Sequence, residues 1–413
     1  MKTALLIGIE RKSHAALKYD MNEIKNLAGS LKIDVTHTLT QSIRQVMPAT
    51  KIGKGKLEEA KTLHDKERFD YVIFNEELTN TQIRNIEEVL DTAILDKTLL
   101  ILEIFARRAK TKEAMLQVEV AQLKYLRPRL SAMRDSFSQQ QGGIGQRGPG
   151  EKKLELDRRK IDKEITTLQK SLDHIVQVRK TNRIKRRNSP IKNVSIVGYT
   201  NAGKSTLMNV LLNHADEESL KHVNTKDRLF ETLETSTRRI KFKDKKPFTL
   251  TDTIGFISNL PHELVESFKA TLEEIKEADL LLHVVDFSHP YYMEQIETTN
   301  AVLDELGASD IETIYVFNKI DLIHSVPPPN FTPSIKVSLK NEENIDELIS
   351  LVHRTLFKDD RTVVFNIPQK EGDIVHMLNE FGEVLDTSYE ENFVKIKARV
   401  SKPLRDRLEE YIA

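Results

Sequence analysis

The 413-residue chain contains no cysteine. That excludes a disulfide framework and any thiolate-bound zinc site, and it suits a reducing, cytosolic setting. No apolar run reaches the ~18–20 residues that span a bilayer. The start, Met1-Lys2-Thr3-Ala4-Leu5-Leu6-Ile7-Gly8, imitates a secretory leader, but Glu10, Arg11 and Lys12 end its apolar run too early. It is expected to be a first strand. Net charge is missing as well, since 63 Lys+Arg balance 63 Asp+Glu. The balance is uneven along the chain. Residues 107–188 hold 22 basic and 9 acidic groups, a surplus of +13, leaving 41 basic against 54 acidic groups elsewhere. A basic block inside a neutral protein points to a polyanionic partner, although a solvated helical surface also explains charge of this kind. Hydrophobic content of 39% with 31% charged residues describes an ordinary globular chain. The length calls for two to four domains.

What is present is organised around residues 196–206. Apolar residues lead into Gly198-Tyr199-Thr200-Asn201-Ala202-Gly203-Lys204-Ser205-Thr206, and a helical pattern (Leu207, Val210, Leu211) follows at once. Gly-x-x-x-x-Gly-Lys-Ser between a strand and a helix is a phosphate-cradling P-loop. Backbone N–H groups and the positive helix end face the phosphates. Lys204 is expected to reach the β- and γ-phosphates, and the Ser205 hydroxyl to bind Mg²⁺.

Three further segments turn this loop into a nucleotide site. Asp252-Thr253-Ile254-Gly255 ends a strand, placing Asp252 to hold Mg²⁺ through water and Gly255 to aim its N–H at the γ-phosphate. Asn318-Lys319-Ile320-Asp321 follows the strand Ile314–Phe317. A carboxylate at Asp321 can accept two hydrogens from the N1–H and 2-amino edge of guanine. Adenine offers neither and would leave that acceptor unpaired, which gives strong discrimination. Asn318 braces the loop, and the Lys319 stem lies over the base. Ser338-Leu339-Lys340 can add a backbone contact to it. Between P-loop and Asp-Thr-x-Gly lie Thr232, Thr235, Ser236 and Thr237. A GTPase needs one such hydroxyl on Mg²⁺ while the γ-phosphate is present. Spacing alone does not choose among the four.

Around this nucleotide domain (residues 191–357) the chain divides into three other parts. Residues 1–110 alternate strands (Ala4–Ile9, Val35–Leu39, Tyr71–Phe74, Thr92–Leu95) with helices (Asn22–Leu31, Leu57–Asp65, Gln82–Leu90), an α/β domain with a largely parallel sheet. Within it, Ile52-Gly53-Lys54-Gly55-Lys56 opens a helix as an anion cradle or, more simply, as a turn with solvated lysines. Residues 111–188 carry two apolar stripes, Leu116, Val120, Leu123, Leu130 and Leu154, Ile161, Ile165, Leu168, Leu172, Ile175. They predict a long antiparallel helical hairpin. Its tip, residues 139–150, has five glycines in nine residues (142–150) and cannot be helical. Gly142, Gly143 and Arg147 can approach RNA closely, the arginine pairing with phosphate or stacking on a base. A basic run, Arg179 to Arg187, closes this part. Residues 361–413 predict a small α+β domain, with strands at Val363–Ile367, Glu383–Thr387 and Phe393–Ala398 and helices near Ile374–Phe381 and Leu404–Ile412.

The chain resembles the HflX family, a branch of the translation-factor-class GTPases. The resemblance rests on Leu126-Arg-Pro-Arg-Leu130, Gly142-Gly-Ile-Gly145, Arg147-Gly-Pro-Gly-Glu151 with Leu154-Glu-Leu-Asp-Arg-Arg159, the P-loop, Asp252-Thr-Ile-Gly-Phe256, and Ala278 to Asp286. It implies a doubly wound, mostly parallel GTPase sheet in a cytoplasmic protein; a monomer is the default expectation, since no obvious self-pairing element stands out in the sequence. It also implies that GTP and GDP are the ligands and that the partner is the large ribosomal subunit with its rRNA. The glycine loop would be directed at the peptidyl-transferase region, and the activity would split or rescue stalled or idle ribosomes under stress. The family pattern at Leu229-Phe230-Glu231-Thr232-Leu233-Glu234 selects Thr232 as the Mg²⁺ ligand, with Glu234 departing from the usual aspartate. Phe256 stands where many GTPases have a water-orienting glutamine, so slow intrinsic turnover completed by the ribosome is expected. Asn201 resembles the asparagine of GTPases that hold K⁺ beside the phosphates. A protein-directed signalling switch, a large-subunit assembly GTPase and an ATP-driven RNA remodeller are the competing readings; Asn318-Lys319-x-Asp321 argues against the last.

Overall fold

In the computed structural model the described residues are 2–11, 14–43, 47–138, 149–187, 191–216, 236–243, 245–253, 255–256, 273–323 and 331–413. They form two compact units, one reaching to Gln177 and the other beginning at Val178. No helix among the described residues is long and apolar enough to cross a membrane.

The first unit is built on four parallel strands, β1 (Lys2–Glu10), β2 (Ile33–Ser42), β3 (Tyr71–Phe74) and β4 (Ala93–Asp96), in the order β2-β1-β3-β4. β1 is apolar on both faces, as a central parallel strand requires, and Ala4, Leu5, Leu6 and Ile7 are fully buried. Helices α1 (His14–Ser30), α2 (Lys54–Glu67), α3 (Asn80–Leu90) and α4 (Lys97–Arg108) connect and flank the strands. α3 starts at a capping box formed by Thr79 and Gln82. α4 had no counterpart in the sequence reading. Its start is fixed by the buried Asp96 carboxylate, which accepts from the Leu99 N–H at 2.9 Å.

Two long helices follow, α5 (Lys112–Ser138) and α6 (Pro149–Arg187), so the last two residues expected in the non-helical tip, Pro149 and Gly150, instead open α6, where proline is tolerated in the first turn. The Arg127 guanidinium of α5 meets the Asp162 carboxylate of α6 at 2.7 Å. α5 is also part of the first unit's core, because Val118, Val120, Ala121 and Tyr125 are buried and the Tyr125 hydroxyl donates to Asp96. Of the α6 stripe, Ile165 is buried while Ile161, Leu168 and Leu172 are half-buried. The Ile52–Lys56 stretch is a helix start: Gly53 is the N-cap of α2, and its N–H donates to Gln41 Oε1 at 3.0 Å. Lys51 pairs with Glu76 at 3.0 Å and Lys56 with Glu59 at 2.6 Å, so two of the nearby cations already face carboxylates.

The second unit carries a six-stranded sheet of β5 (Lys192–Gly198), β6 (Ser236–Ile240), β7 (Phe248–Asp252), β8 (Leu280–Asp286), β9 (Thr313–Asn318) and β10 (Ser334–Lys336). The order is β10-β9-β8-β5-β7-β6, parallel except for the edge strand β6. α7 (Lys204–Asn213), α8 (Tyr292–Glu305) and α9 (Ile345–Leu356) cover its faces. In such open sheets ligands bind beyond the carboxyl ends of the strands, and here β5, β7, β8 and β9 all end in residues of the motifs above.

The C-terminal part is the antiparallel sheet β11-β13-β12 (Arg361–Pro368, Phe393–Val400, Glu383–Tyr389) with α10 (Gly372–Phe381) and α11 (Lys402–Arg407). The expected helix Leu404–Ile412 is not continuous. α11 stops at Arg407 and a short 3₁₀ turn, Glu409–Tyr411, follows. The last residues pair with β11 instead: Ile412 bridges Phe365, and the Ala413 N–H donates to the Val364 carbonyl at 2.9 Å. Edge pairing of that kind needs extended chain and ends the helix.

Candidate functional site

The site is assembled from backbone conformation first. β5 ends at Gly198, whose φ of 143° and close approach to β8 both require glycine; a Cβ there would lie 2.2 Å from the Val284 carbonyl oxygen. Gly203 has φ 106° and precedes α7, where a Cβ would lie 2.4 Å from Asn318 Nδ2. Between them Asn201 takes φ 62°. The N-cap of α7, Gly203, contributes no side-chain cap, and the first N–H groups of a helix are oriented toward an anion placed at its start.

The polar side chains converge on this loop. Lys204 is buried and its ammonium donates to the Tyr199 carbonyl at 2.7 Å. Burial pushes its pKa down to about 8, with the charge of Asp252 acting in the opposite direction. The Ser205 hydroxyl donates to Asp252 Oδ2 at 2.8 Å, and Asp252 itself is 0% exposed. Thr253 fixes the chain beyond it by donating to the Ile196 carbonyl at 2.6 Å. Gly255 packs directly on the P-loop: a Cβ there would lie 2.8 Å from Lys204 Nζ and 3.0 Å from Thr200 Cα. Backbone pairing continues the contact, from Thr200 N–H to the Phe256 carbonyl (2.7 Å) and from Phe256 N–H to the Gly198 carbonyl (3.1 Å). The Phe256 ring is buried. A phenyl ring carries no donor or acceptor with which to orient water.

The remaining motif residues meet the loop from β9. The Asn318 side chain donates to the Ala202 carbonyl at 2.9 Å and accepts from the Leu339 N–H at 3.1 Å, tying the P-loop to the Ser338–Lys340 segment. Ser338 donates to Asp321 Oδ1 at 2.7 Å. Lys319 takes φ 67° and its ammonium reaches Asp286 Oδ2 at 2.7 Å. Leu339 is buried and Lys340 exposed. Thr206 and Ile320 lie within α7 and the turn after β9, respectively. Phe230, Glu231, Thr232, Leu233, Glu234 and Ile254 lie outside the described residues, as do Gly142, Gly143 and Arg147 of the hairpin tip.

Two participants carried no assigned role in the sequence reading. Asp286 stands at the end of β8 opposite Asn318 of β9, a juxtaposition that only strand register reveals. His283 is buried in the same strand, where burial, helped by the charge of Lys204, pushes its pKa down to about 3. It is therefore a neutral ring, 5.1 Å from Tyr315.

A glycine-pinned loop at a helix start, a buried lysine, a hydroxyl–carboxylate pair and an asparagine-braced base loop, all at one end of a parallel sheet, define a P-loop GTPase. Relatives of this chain match it over most of their length. The chain is 44% identical to the GTPase HflX of Caldanaerobacter subterraneus subsp. tengcongensis over 392 residues, covering 95% of this chain and 90% of the relative. It is 35% identical to the GTPase HflX of Escherichia coli K12 over 393 residues, covering 94% and 90%. The chain belongs to the HflX family of GTPases. Family models described as GTP-binding GTPase N-terminal, GTP-binding GTPase Middle Region and 50S ribosome-binding GTPase match residues 18–106, 108–186 and 193–319. A solved GTP-binding protein from Sulfolobus solfataricus in complex with GDP is 25% identical, with a TM-score of 0.46, covering 87% of this chain and 99% of its own.

Proposed function

We propose that this GTPase acts on the large ribosomal subunit, as a cytoplasmic monomer that splits or rescues stalled or idle ribosomes under stress. The observation that carries the reading is the pairing of a GTPase site with a strongly basic segment, +13 over residues 107–188, whose central stretch is glycine-rich. The name of the matching family model, 50S ribosome-binding GTPase, supports the same partner. In this reading Gly142, Gly143 and Arg147 contact rRNA at the peptidyl-transferase region.

Within the site, the backbone of Gly198 to Thr206 cradles the phosphates, Lys204 pairs with their β- and γ-oxygens, and the Gly255 N–H holds the γ-phosphate. Asp321 reads the guanine edge, Lys319 covers the ring, and Asn318 holds the loops in place. An oxygen-only pair such as Ser205 and Asp252 suits Mg²⁺, which keeps most of its shell as water and phosphate; Thr232 would join it in the GTP state. Mg²⁺ held by these residues would supply charge neutralisation to the phosphates. Asn201 would help hold K⁺ beside them, and equal hydrolysis rates in potassium and sodium would remove that role.

GTP hydrolysis with and without purified large subunits, at fixed potassium and magnesium, tests the proposal. Strong stimulation is expected, because the buried Phe256 supplies no water-orienting group. Fast turnover indifferent to subunits would overturn it. A ribosome-splitting assay on sucrose gradients then separates splitting from an assembly role.

A further inference from the structure

Lys319 covers the base only if its stem is held there, and the structure shows what holds it. We propose that Asp286 is a positioning residue for guanine recognition, tethering Lys319 so that the base platform exists before nucleotide arrives. The inference rests on the guanine reading of Asn318-Lys319-x-Asp321 above.

The geometry is specific. β8 and β9 are parallel neighbours, and their register sets Asp286 beside Asn318. The two oxygens of the Asp286 carboxylate have separate tasks. Oδ1 accepts from its own loop, the Ser288 N–H at 3.1 Å and hydroxyl at 2.6 Å. Oδ2 accepts from Lys319 Nζ at 2.7 Å. The Phe287 N–H donates to the Asn318 carbonyl at 2.9 Å, which fixes the two strand ends against each other. Both partners of the ion pair are largely shielded, with side-chain exposures of 14% for Asp286 and 26% for Lys319, so solvent screens it less than a surface pair. Lys319 needs such a tether. Its backbone is left-handed, and its four-carbon stem otherwise samples many rotamers. Restricting those rotamers in the free protein removes an ordering cost from binding, the general route by which preorganisation raises affinity.

The two-oxygen arrangement allows a clean test by stopped-flow release of a fluorescent GDP analogue. Asp286→Asn keeps an acceptor for Ser288 and removes the charge that holds Lys319. Release is expected to quicken about tenfold and KM for GTP to rise in step, with kcat at saturating GTP within about twofold of wild type. Ser288→Ala removes only the loop contact and is expected to leave release unchanged. Lys319→Met keeps a stem of similar length without the ammonium and is expected to accelerate release as much as Asp286→Asn, with no further gain when the two are combined. Wild-type release in either Asp286→Asn or Lys319→Met overturns the tether. So does a full Asp286→Asn effect in the Lys319→Met background, or an equal effect of Ser288→Ala, which would mark a loop-folding role instead. Displacement of the analogue from wild-type protein by ATP would instead refute the guanine reading itself.

Discussion

At the residue scale, Lys204 is the most informative titratable group. Its folded pKa of about 8 lies below the ordinary 10.5 because it is buried. As pH falls from about 10.5 to about 8, only the unfolded chain takes up this proton, so the free protein loses stability across that window and none further below it. A triphosphate favours the charged amine and reverses the shift. Calorimetry in two buffers of different ionisation enthalpy should show uptake of close to one proton on nucleotide binding at pH 9 and little at pH 7. Affinity should weaken by up to about tenfold per pH unit above 8; absence of proton uptake at pH 9 would contradict the burial argument. Gly255 gives a second prediction. The Cβ of Gly255→Ala would lie 2.8 Å from Lys204 Nζ and 3.0 Å from Thr200 Cα, against a loop that cannot yield freely. Hydrolysis should fall roughly 100-fold, the scale for losing one preorganised donor, while GDP affinity changes by only a fewfold. Equal losses of GDP binding and hydrolysis would show that the whole loop had collapsed. The motif residues themselves were legible because a P-loop and an Asn-Lys-x-Asp are contiguous in sequence. Asp286 was not, because its partner Lys319 is 33 positions away and only parallel pairing of β8 with β9 brings them together.

At the scale of elements, the β6–β7 hairpin and α9 share an aromatic box with a histidine inside it. His353 lies against the rings of Phe242, Phe248 and Phe357, with centroids 5.4–5.8 Å away. Burial, then the nearby charges of Lys245 and Lys246, push its pKa down to about 4. The unfolded chain therefore takes up this proton near pH 6.5 and the folded chain does not, so stability drops as pH falls from 6.5 towards 4. The loss from this one group is about 3 kcal/mol. His353→Leu should flatten the acid side of a urea-denaturation profile by about that amount, and an unchanged slope would rule the residue out. Beside it the buried pair Lys246–Asp360 joins the hairpin to the chain just before β11. Lys246→Met strands a buried carboxylate and should cost about 3–5 kcal/mol. The double variant Lys246→Met/Asp360→Leu should recover most of that in the same denaturation assay. Element recognition followed similar physics. β1, β3 and β4 were legible as short apolar runs between turn residues. α4 was not, because Thr98, Leu100, Ile101, Leu102, Ile104 and Phe105 are all buried, which blurs the 3.6-residue period that marks a half-exposed helix. The signal that could have found it is Asp96, an N-cap residue directly before the run.

At the scale of the whole molecule, the nucleotide site and the basic segment fall on different parts of the chain. Every described residue of the nucleotide site, from Gly198 to Lys340, lies in the second unit, whereas α5 and the greater part of α6 lie in the first. The chain's neutrality follows from the same division, because the acidic excess elsewhere offsets the +13 of residues 107–188. A protein so arranged should bind polyanions through one segment while its overall charge gives no sign of it. Affinity for large subunits, measured by co-sedimentation across a salt series, should therefore fall steeply, since each phosphate contact releases a condensed counterion. Replacing residues 139–150 by a short glycine-serine linker should abolish the subunit-stimulated part of hydrolysis and leave the basal rate within about twofold, because the site is built wholly from other residues. Neutralising the run Arg179 to Arg187 should instead flatten the salt slope while the stimulation at saturating subunits persists. If the tip replacement lowers basal and stimulated rates alike, the hairpin supports the fold of the GTPase site. If binding ignores salt altogether, the partner surface is not phosphate, and a protein-directed switch becomes the better account of the same GTPase.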